Sequence, residues 1–268
     1  MTATIIGTIA IVFYIGAAIL QYFSLKGRDK SNRNKVLLLG AVALIFHTLS
    51  FNGTVYTTGG LNLGFYSISS LIGWIMALLV TTSAIRKPLQ NLFIGIYPIA
   101  AAGLITVLLA PIHHEADKSI EQLTPDLAIH ILLSFFAYSV LTIAAIQSSL
   151  LALQDHHLRH HKTNSLIMQL PPLQLMEQLL FELIWVGVVL LGAAILTGIV
   201  FIDDIFAQHL VHKTILSIVA LCLFSTLLVG RHVLGWRGTI AIRWTAGGYI
   251  LLMLAFFGSK LVLEVILN

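Results

Sequence analysis

Two histidines fall where an aqueous side chain is not expected. His47 and His130 each lie within a long apolar run. Ionisable groups in such runs are the first candidates for chemistry, because the membrane interior makes them costly to keep. A neutral imidazole carries one N–H and one lone pair. Two imidazoles at one depth on different helices can therefore supply both axial ligands of a haem iron, as helix bundles do when they hold cofactors between facing helices. The competing reading needs no cofactor: each histidine hydrogen-bonds a neighbouring helix, a common form of glue in membranes. Ser134 and Tyr138 follow His130 at i+4 and i+8, which puts one polar stripe on that helix, facing the bundle.

The other histidines are expected to be solvated loop residues. His113 and His114 lie in one connecting segment, and His209 and His212 precede the seventh apolar run. His212 is kept as a reserve haem ligand at the outer surface. His156, His157, His160 and His161 form an HHxxHH cluster. Its i,i+4 pairs can bind a transition metal if the segment is helical. No carboxylate or cysteine completes a site there, so a solvated face is expected. Lys260 and Glu264 are spaced to pair with each other. Phosphate-loop, nucleophile-elbow and HExxH motifs do not occur. The lone cysteine, Cys222, allows neither an internal disulfide nor a CxxC pair. That argues against a thiol–disulfide carrier. Binding rather than catalysis is expected.

The elements that must position these residues are apolar helices. The 268-residue chain is 58% hydrophobic and only 10% charged, against about 25% charged in soluble domains. Eight apolar segments, roughly 4–25, 36–52, 65–85, 92–110, 127–153, 179–202, 214–230 and 244–267, are long enough or nearly long enough to span. The second and seventh are the shortest. None has the alternation of a membrane β-strand, and backbone satisfaction in lipid then leaves helices. Residues 1–25 lack a positive leader and are too long for a signal-peptide core, so a retained first helix is expected. Pro98 predicts a kink in the fourth helix. Ser67, Ser70 and Trp74 line one stripe of the third, the mark of close helix packing.

The predicted fold is thus an all-α polytopic membrane bundle of eight transmembrane helices in a single domain, 1–268. Its connections alternate in charge. Lys26, Arg28, Lys30, Arg33, Lys35, Arg86, Lys87, Arg159, Lys162, Arg231, Arg237 and Arg243 fall on one side, making 12 of the 15 Lys+Arg. The positive-inside rule places that side in the cytoplasm and both termini outside. The pI of about 9.3 therefore reflects topology and not nucleic-acid binding. Asp203 and Asp204 mark the outer end of the sixth helix. Trp236 and Trp244 flank the last inner loop and suit the interfacial aromatic belt. In this orientation His47 lies roughly 7 Å and His130 roughly 6 Å below the outer ends of their helices, counted at 1.5 Å per residue. That common depth is what makes a shared ligand conceivable.

Several segments carry a family resemblance. His130 to Tyr138 (HILLSFFAY) resembles the helix of CcsA-type cytochrome c assembly proteins in which a histidine precedes a Ser-Tyr-Ala-like run. Gly235-Trp236-Arg237-Gly238, followed by Ala255 to Lys260 (AFFGSK), resembles the C-terminal end of that family. Gly60 to Tyr66 (GLNLGFY), with Ser69, Ser70 and Trp74, fits as well. Within the family, which includes CcmC- and HemX-like members, the chain is most similar to the bacterial inner-membrane YpjD branch, related to HemX. Members share its length, its eight spans, a histidine in helix 2 and Pro171-Pro172-Leu173 before helix 6.

The resemblance implies a haem-handling protein of the bacterial inner membrane. It would take haem b, with His47 and His130 as axial ligands. Lipid, haem and other cytochrome c maturation or haem-pathway proteins would be its partners. By the same analogy His130 matches the family's outer histidine, and Arg231 lies near the inner half of helix 7, where the family carries a histidine and this chain has Val229. The family's tryptophan-rich outer segment is missing, with residues 203–213 in its place, and no histidine follows helix 8. Haem binding therefore survives these departures better than haem presentation to a cytochrome. A HemX-like regulator of tetrapyrrole synthesis and a non-haem accessory subunit of a membrane complex are the alternatives.

Overall fold

The computed structural model describes residues 2–27, 32–57, 60–109, 119–120, 123–160, 169–201 and 208–258. Arg28, Lys30, His113, His114, Lys118, His161, Lys162, Asp203, Asp204 and the Lys260–Glu264 pair lie outside the described residues. The chain divides into two compact units. The first holds α1 (Thr2–Gly27), α2 (Arg33–Ser50), α3 (Phe65–Ser83) and α4 (Phe93–Leu109). The second holds α5 (Pro125–Arg159), α6 (Leu173–Phe201), α7 (Gln208–Leu234) and α8 (Thr239–Met253), the last continued by a π-helical turn over Leu254–Gly258.

The protein is all-helical except for one small antiparallel sheet among the described residues. Its strands are β1 (Tyr56–Thr57), β2 (Gly60–Asn62) and β3 (Ser119–Ile120), in that order, with Tyr56 opposite Leu61 and Leu61 opposite Ile120. The GLNLGFY segment therefore supplies a strand and then the start of α3. Buried Asn62 joins the two by accepting the Gly64 N–H at 2.8 Å.

Among the described residues, seven helices are long and apolar enough to cross a membrane: all but α2. Arg33 and Lys35 open α2, which leaves fewer apolar residues than a full span of about 20. Its buried positions Val36, Gly40, Ala43, Leu44, His47 and Ser50 nonetheless recur at helical spacing and pack on α1 and α3. Arg33 itself donates to the carbonyls of Ala84 and Ile85 at 3.1 and 3.0 Å. A cation is favourable at that point because the end of α3 carries unpaired carbonyls and the negative end of the helix dipole.

The surfaces are inverted relative to a water-soluble protein. α1 turns Ile5, Val12 and Ile19 outward and buries Ala10, Tyr14, Ala17 and Gln21. α6 exposes Trp185, Val189, Leu196 and Val200. In water such faces would drive association, whereas hydrocarbon tails accept them. α3 and α4 pack backbone to backbone: a Cβ at Gly103 would lie 2.8 Å from the Ser69 carbonyl oxygen, the close approach that small residues allow between membrane helices. Pro98 is accommodated inside α4 without ending it.

Helix lengths depart from the apolar runs. The expected fifth helix ended at 153, whereas α5 continues to Arg159, and the sixth begins at Leu173 instead of 179. At 1.5 Å per residue, the 35 residues of α5 extend about 52 Å, well past a hydrocarbon core of about 30 Å. Hydropathy marks only the part that must meet lipid. Beyond it the helix is held by an Asp155–Arg159 ion pair at i,i+4, 3.0 Å, and by histidine side chains donating to carbonyls one turn back.

Gly103→Ala should force α3 and α4 apart and lower the stability of the first unit by about 1–3 kcal/mol. The expected readout is a reduced Tm for the purified protein in detergent.

Candidate functional site

His47 sits in the polar centre of the first unit and is fully buried. Its Nε2 lies 2.9 Å from Ser70 Oγ on α3, and its Nδ1 lies 3.3 Å from the Tyr14 hydroxyl on α1. Both partners are hydroxyls, which donate or accept as required, so a neutral imidazole is satisfied at both nitrogens in either tautomer. Phe51 and Tyr14 pack edge-on against the ring at 5.4 and 5.8 Å between centroids. Ser67 donates to the Thr54 carbonyl, and Trp74 Nε1 donates to Thr48 Oγ1 at 2.9 Å. The stripe Ser67, Ser70 and Trp74 therefore bonds α3 to α2 and to the turn that follows α2, with His47 as one of its partners.

Tyr14 was not singled out in the sequence. The signal was present, since a tyrosine hydroxyl in the middle of an apolar helix needs a partner.

His130 has a different surrounding. It is half-buried on α5 in the second unit, and its Nδ1 lies 2.9 Å from the Ala194 carbonyl on α6. A carbonyl only accepts, so Nδ1 carries the hydrogen and the lone pair of the neutral ring is on Nε2. Thr197 Oγ1 lies 3.3 Å from the same Nδ1 and itself donates to the Ala193 and Ala194 carbonyls. Gly198 makes room for the ring: a Cβ there would stand 3.0 Å from His130 Cε1.

The imidazole opens on a cleft of about 110 Å³. Ser134, Tyr138, Lys213, Ser217 and Phe256 line it, together with aliphatic residues of α6 and α8. The polar stripe of α5 thus faces one cavity. Tyr138 is locked in place by donating to Met253 Sδ at 2.7 Å and by Phe256 and Phe257, each 5.3 Å away between ring centroids. Lys213 Nζ lies 4.9 Å from the centre of the Phe256 ring, a cation–π contact that holds an ammonium at the cleft. His212, the residue before it, is exposed on α7 and does not line the cleft.

The opposite end of the second unit carries a part-buried ion pair. Arg231, expected in a loop, lies within α7, which continues to Leu234 rather than stopping at 230. It donates to Glu177 Oε1 on α6 at 2.6 Å and to the Trp236 carbonyl at 3.2 Å. Glu177 is buried, and its other oxygen accepts the Gly238 N–H at 3.2 Å. Gly238 opens α8 with φ of 58°, a conformation that favours glycine. Trp236 meets Trp244 at a 36° tilt with 5.3 Å between ring centroids and packs over Gly230, while Phe181 covers the guanidinium at 4.7 Å. The GWRG segment is therefore a clamp between α6, α7 and α8, and Trp236 and Trp244 contribute to it besides any interfacial role. Glu177 escaped notice because the sixth helix was expected to start two residues later. Pro171-Pro172 is the signal for the earlier start, since Pro172 stands immediately before the helix and its carbonyl accepts from the Met176 N–H.

The family model for cytochrome c assembly proteins matches residues 35–267. The inner membrane protein YpjD of Escherichia coli K12 is 30% identical over 260 residues, 96% of this chain and 97% of that protein. Protein HemX of Brevibacillus brevis is 27% identical over 147 residues, 54% of this chain and 53% of that one. No solved structure matches. The chain belongs to the cytochrome c assembly protein family.

Glu177→Leu should destabilise the second unit by about 1–3 kcal/mol, reduced from a fully buried pair because the Arg231 side chain keeps some contact with solvent. Adding Arg231→Met should recover part of the loss, since no unpaired charge then remains. Thermal unfolding of the two single variants and the double variant tests the coupling.

Proposed function

From its place in that family, we propose that the protein binds haem b non-covalently at the His130 cleft. Its role on this reading is to hold or pass haem near the outer leaflet, not to make or break bonds in a substrate. The observation that carries the reading is the bonding of His130. Nδ1 donates to a backbone carbonyl and Nε2 is left with its lone pair, the arrangement that orients metal-bound imidazoles and raises their basicity.

The residues fit the group by their donor chemistry. His130 offers a nitrogen of the right tautomer, Lys213 a cation for a carboxylate, and Leu191, Ile195, Leu252 and Phe256 an apolar wall. When bound, haem supplies an iron that accepts an imidazole nitrogen and propionates that accept a cation. The cleft is smaller than the 300–1,000 Å³ or so that encloses a drug-sized ligand, so these side chains hold part of the macrocycle. Within the second unit, His212 on α7 is exposed and would be a further nitrogen donor to the iron. In the first unit, His47 would offer a nitrogen only by giving up its bond to Ser70.

The same reading includes eight spans in one transmembrane domain, with α2 as the eighth and both termini outside. The alternation of 12 of the 15 basic residues supports it, and the family match runs through both units. The multi-pass chain is assigned to the bacterial inner membrane, where the name of its relative YpjD puts that protein. Similarity to the protein named HemX favours a second reading, a regulator of tetrapyrrole synthesis acting through a partner protein.

Absorption spectra of the purified protein in detergent, with and without added haem, test the first reading. A sharp Soret band is expected on reconstitution. His130→Ala should weaken haem affinity at least tenfold, and Lys213→Ala less. If haem never associates with the wild-type protein, the reading fails and an accessory role without haem replaces it. Deletion should lower holo-cytochrome c, whereas altered tetrapyrrole levels with normal cytochrome c would favour the second reading.

Fusions at the C-terminus test the orientation. Alkaline phosphatase should be active there and a cytoplasm-dependent fluorescent reporter dark, and the reverse pattern overturns it.

A further inference from the structure

The last two turns of α5 carry an arrangement that haem binding does not use. We propose that His156 and His160 form a site for a divalent first-row transition ion on the water-exposed end of this helix. His156 lies in the last turn of α5 and His160 is the residue that caps it, and the two side chains come together at that end. Their rings lie 4.3 Å apart between centroids with a tilt of 33°. Both residues are exposed, so an ion reaches them without opening the fold.

The nitrogen atoms are in the state that coordination requires. His160 Nδ1 donates to the His156 carbonyl at 2.8 Å, which leaves the lone pair of the neutral ring on Nε2 and fixes the ring along the helix. Among the described residues, no hydrogen bond occupies either ring nitrogen of His156. Two imidazoles at i,i+4 on one helical face are the spacing that zinc enzymes use for their helix-borne ligands.

The neighbours define what kind of site this is. His157 belongs to another face: its Nδ1 donates to the Leu153 carbonyl at 2.8 Å, and its ring meets His156 edge-on at 5.8 Å. Asp155 is engaged by Arg159 at 3.0 Å, so its carboxylate is not spare. Among the described residues, no group of three or more His, Cys, Asp or Glu gathers around an ion. Two imidazole nitrogens and water therefore make up the coordination. That donor set selects Ni²⁺, Cu²⁺ or Zn²⁺ over Mg²⁺ and Ca²⁺, which prefer oxygen. An ion bridging the pair also ties down the end of α5 beyond the hydrocarbon layer.

The test uses the full chain, carrying no polyhistidine tag, in detergent micelles stripped with chelator. Calorimetric titration with Ni²⁺ should show one site, and Mg²⁺ should give no binding. The double variant His156→Asn/His160→Asn should lose at least tenfold in Ni²⁺ affinity, whereas His157→Asn should retain the wild-type value. Circular dichroism confirms that each variant keeps its helix content. With Cu²⁺, electron paramagnetic resonance should show hyperfine structure from two nitrogens that disappears in the double variant. Unchanged Ni²⁺ affinity in the double variant, or a loss in His157→Asn as large as its own, overturns the proposal.

Discussion

Water is absent from the hydrocarbon layer, and a polar group carried into it must find its partner inside the protein. Much of the architecture follows from that constraint. Thr8, Thr48, Ser69, Thr82, Thr142 and Thr226 turn back to carbonyls of their own helices. Ser70, Trp74 and Tyr14 reach across to other helices instead, and Ser67 reaches the turn after α2. Large apolar side chains, released from any need to hide, occupy the outside as well as the core. Polar contacts therefore choose which helix faces meet, a choice that the hydrophobic effect makes in water but cannot make in lipid.

The same constraint separates two residues of one type. His47 meets two hydroxyls and is complete within its unit. His130 meets a carbonyl at Nδ1, and its ring lines a cleft. An imidazole with one nitrogen committed and one open is already set for a metal: its tautomer is fixed and its ring is held, so little ordering remains for the moment of binding. An imidazole with both nitrogens committed must first break a bond. On the proposed reading, ligating haem iron would thus ask less of His130 than of His47.

The far end of the second unit meets the constraint with charge. Glu177 is buried, and burial of an ionised carboxylate is tolerated only where donors surround it. Arg231 and the Gly238 N–H provide them. The arrangement ties the start of α6 to the end of α7 and the first turn of α8, and it explains why Gly-Trp-Arg-Gly stands between the last two helices: the glycine at 238 turns its N–H inward, and the tryptophan closes over Gly230.

Sequence alone determined the number of apolar segments, their helical character and the alternation of charge, because each depends on local composition measured against a slab of fixed thickness. It also marked His47, His130 and the histidine cluster, since residue type and spacing suffice to raise them. The tertiary structure decided what each of these does. Whether a histidine is satisfied or open depends on which carbonyl or hydroxyl a different helix presents, and Ala194 and Ser70 are distant in sequence from the residues they meet. Helix ends were misplaced at 153, 179 and 230 for a related reason. Hydropathy records where lipid begins, whereas a helix stops where its backbone bonds and side-chain contacts stop, and Arg159, Glu177 and Arg231 all lie in that margin.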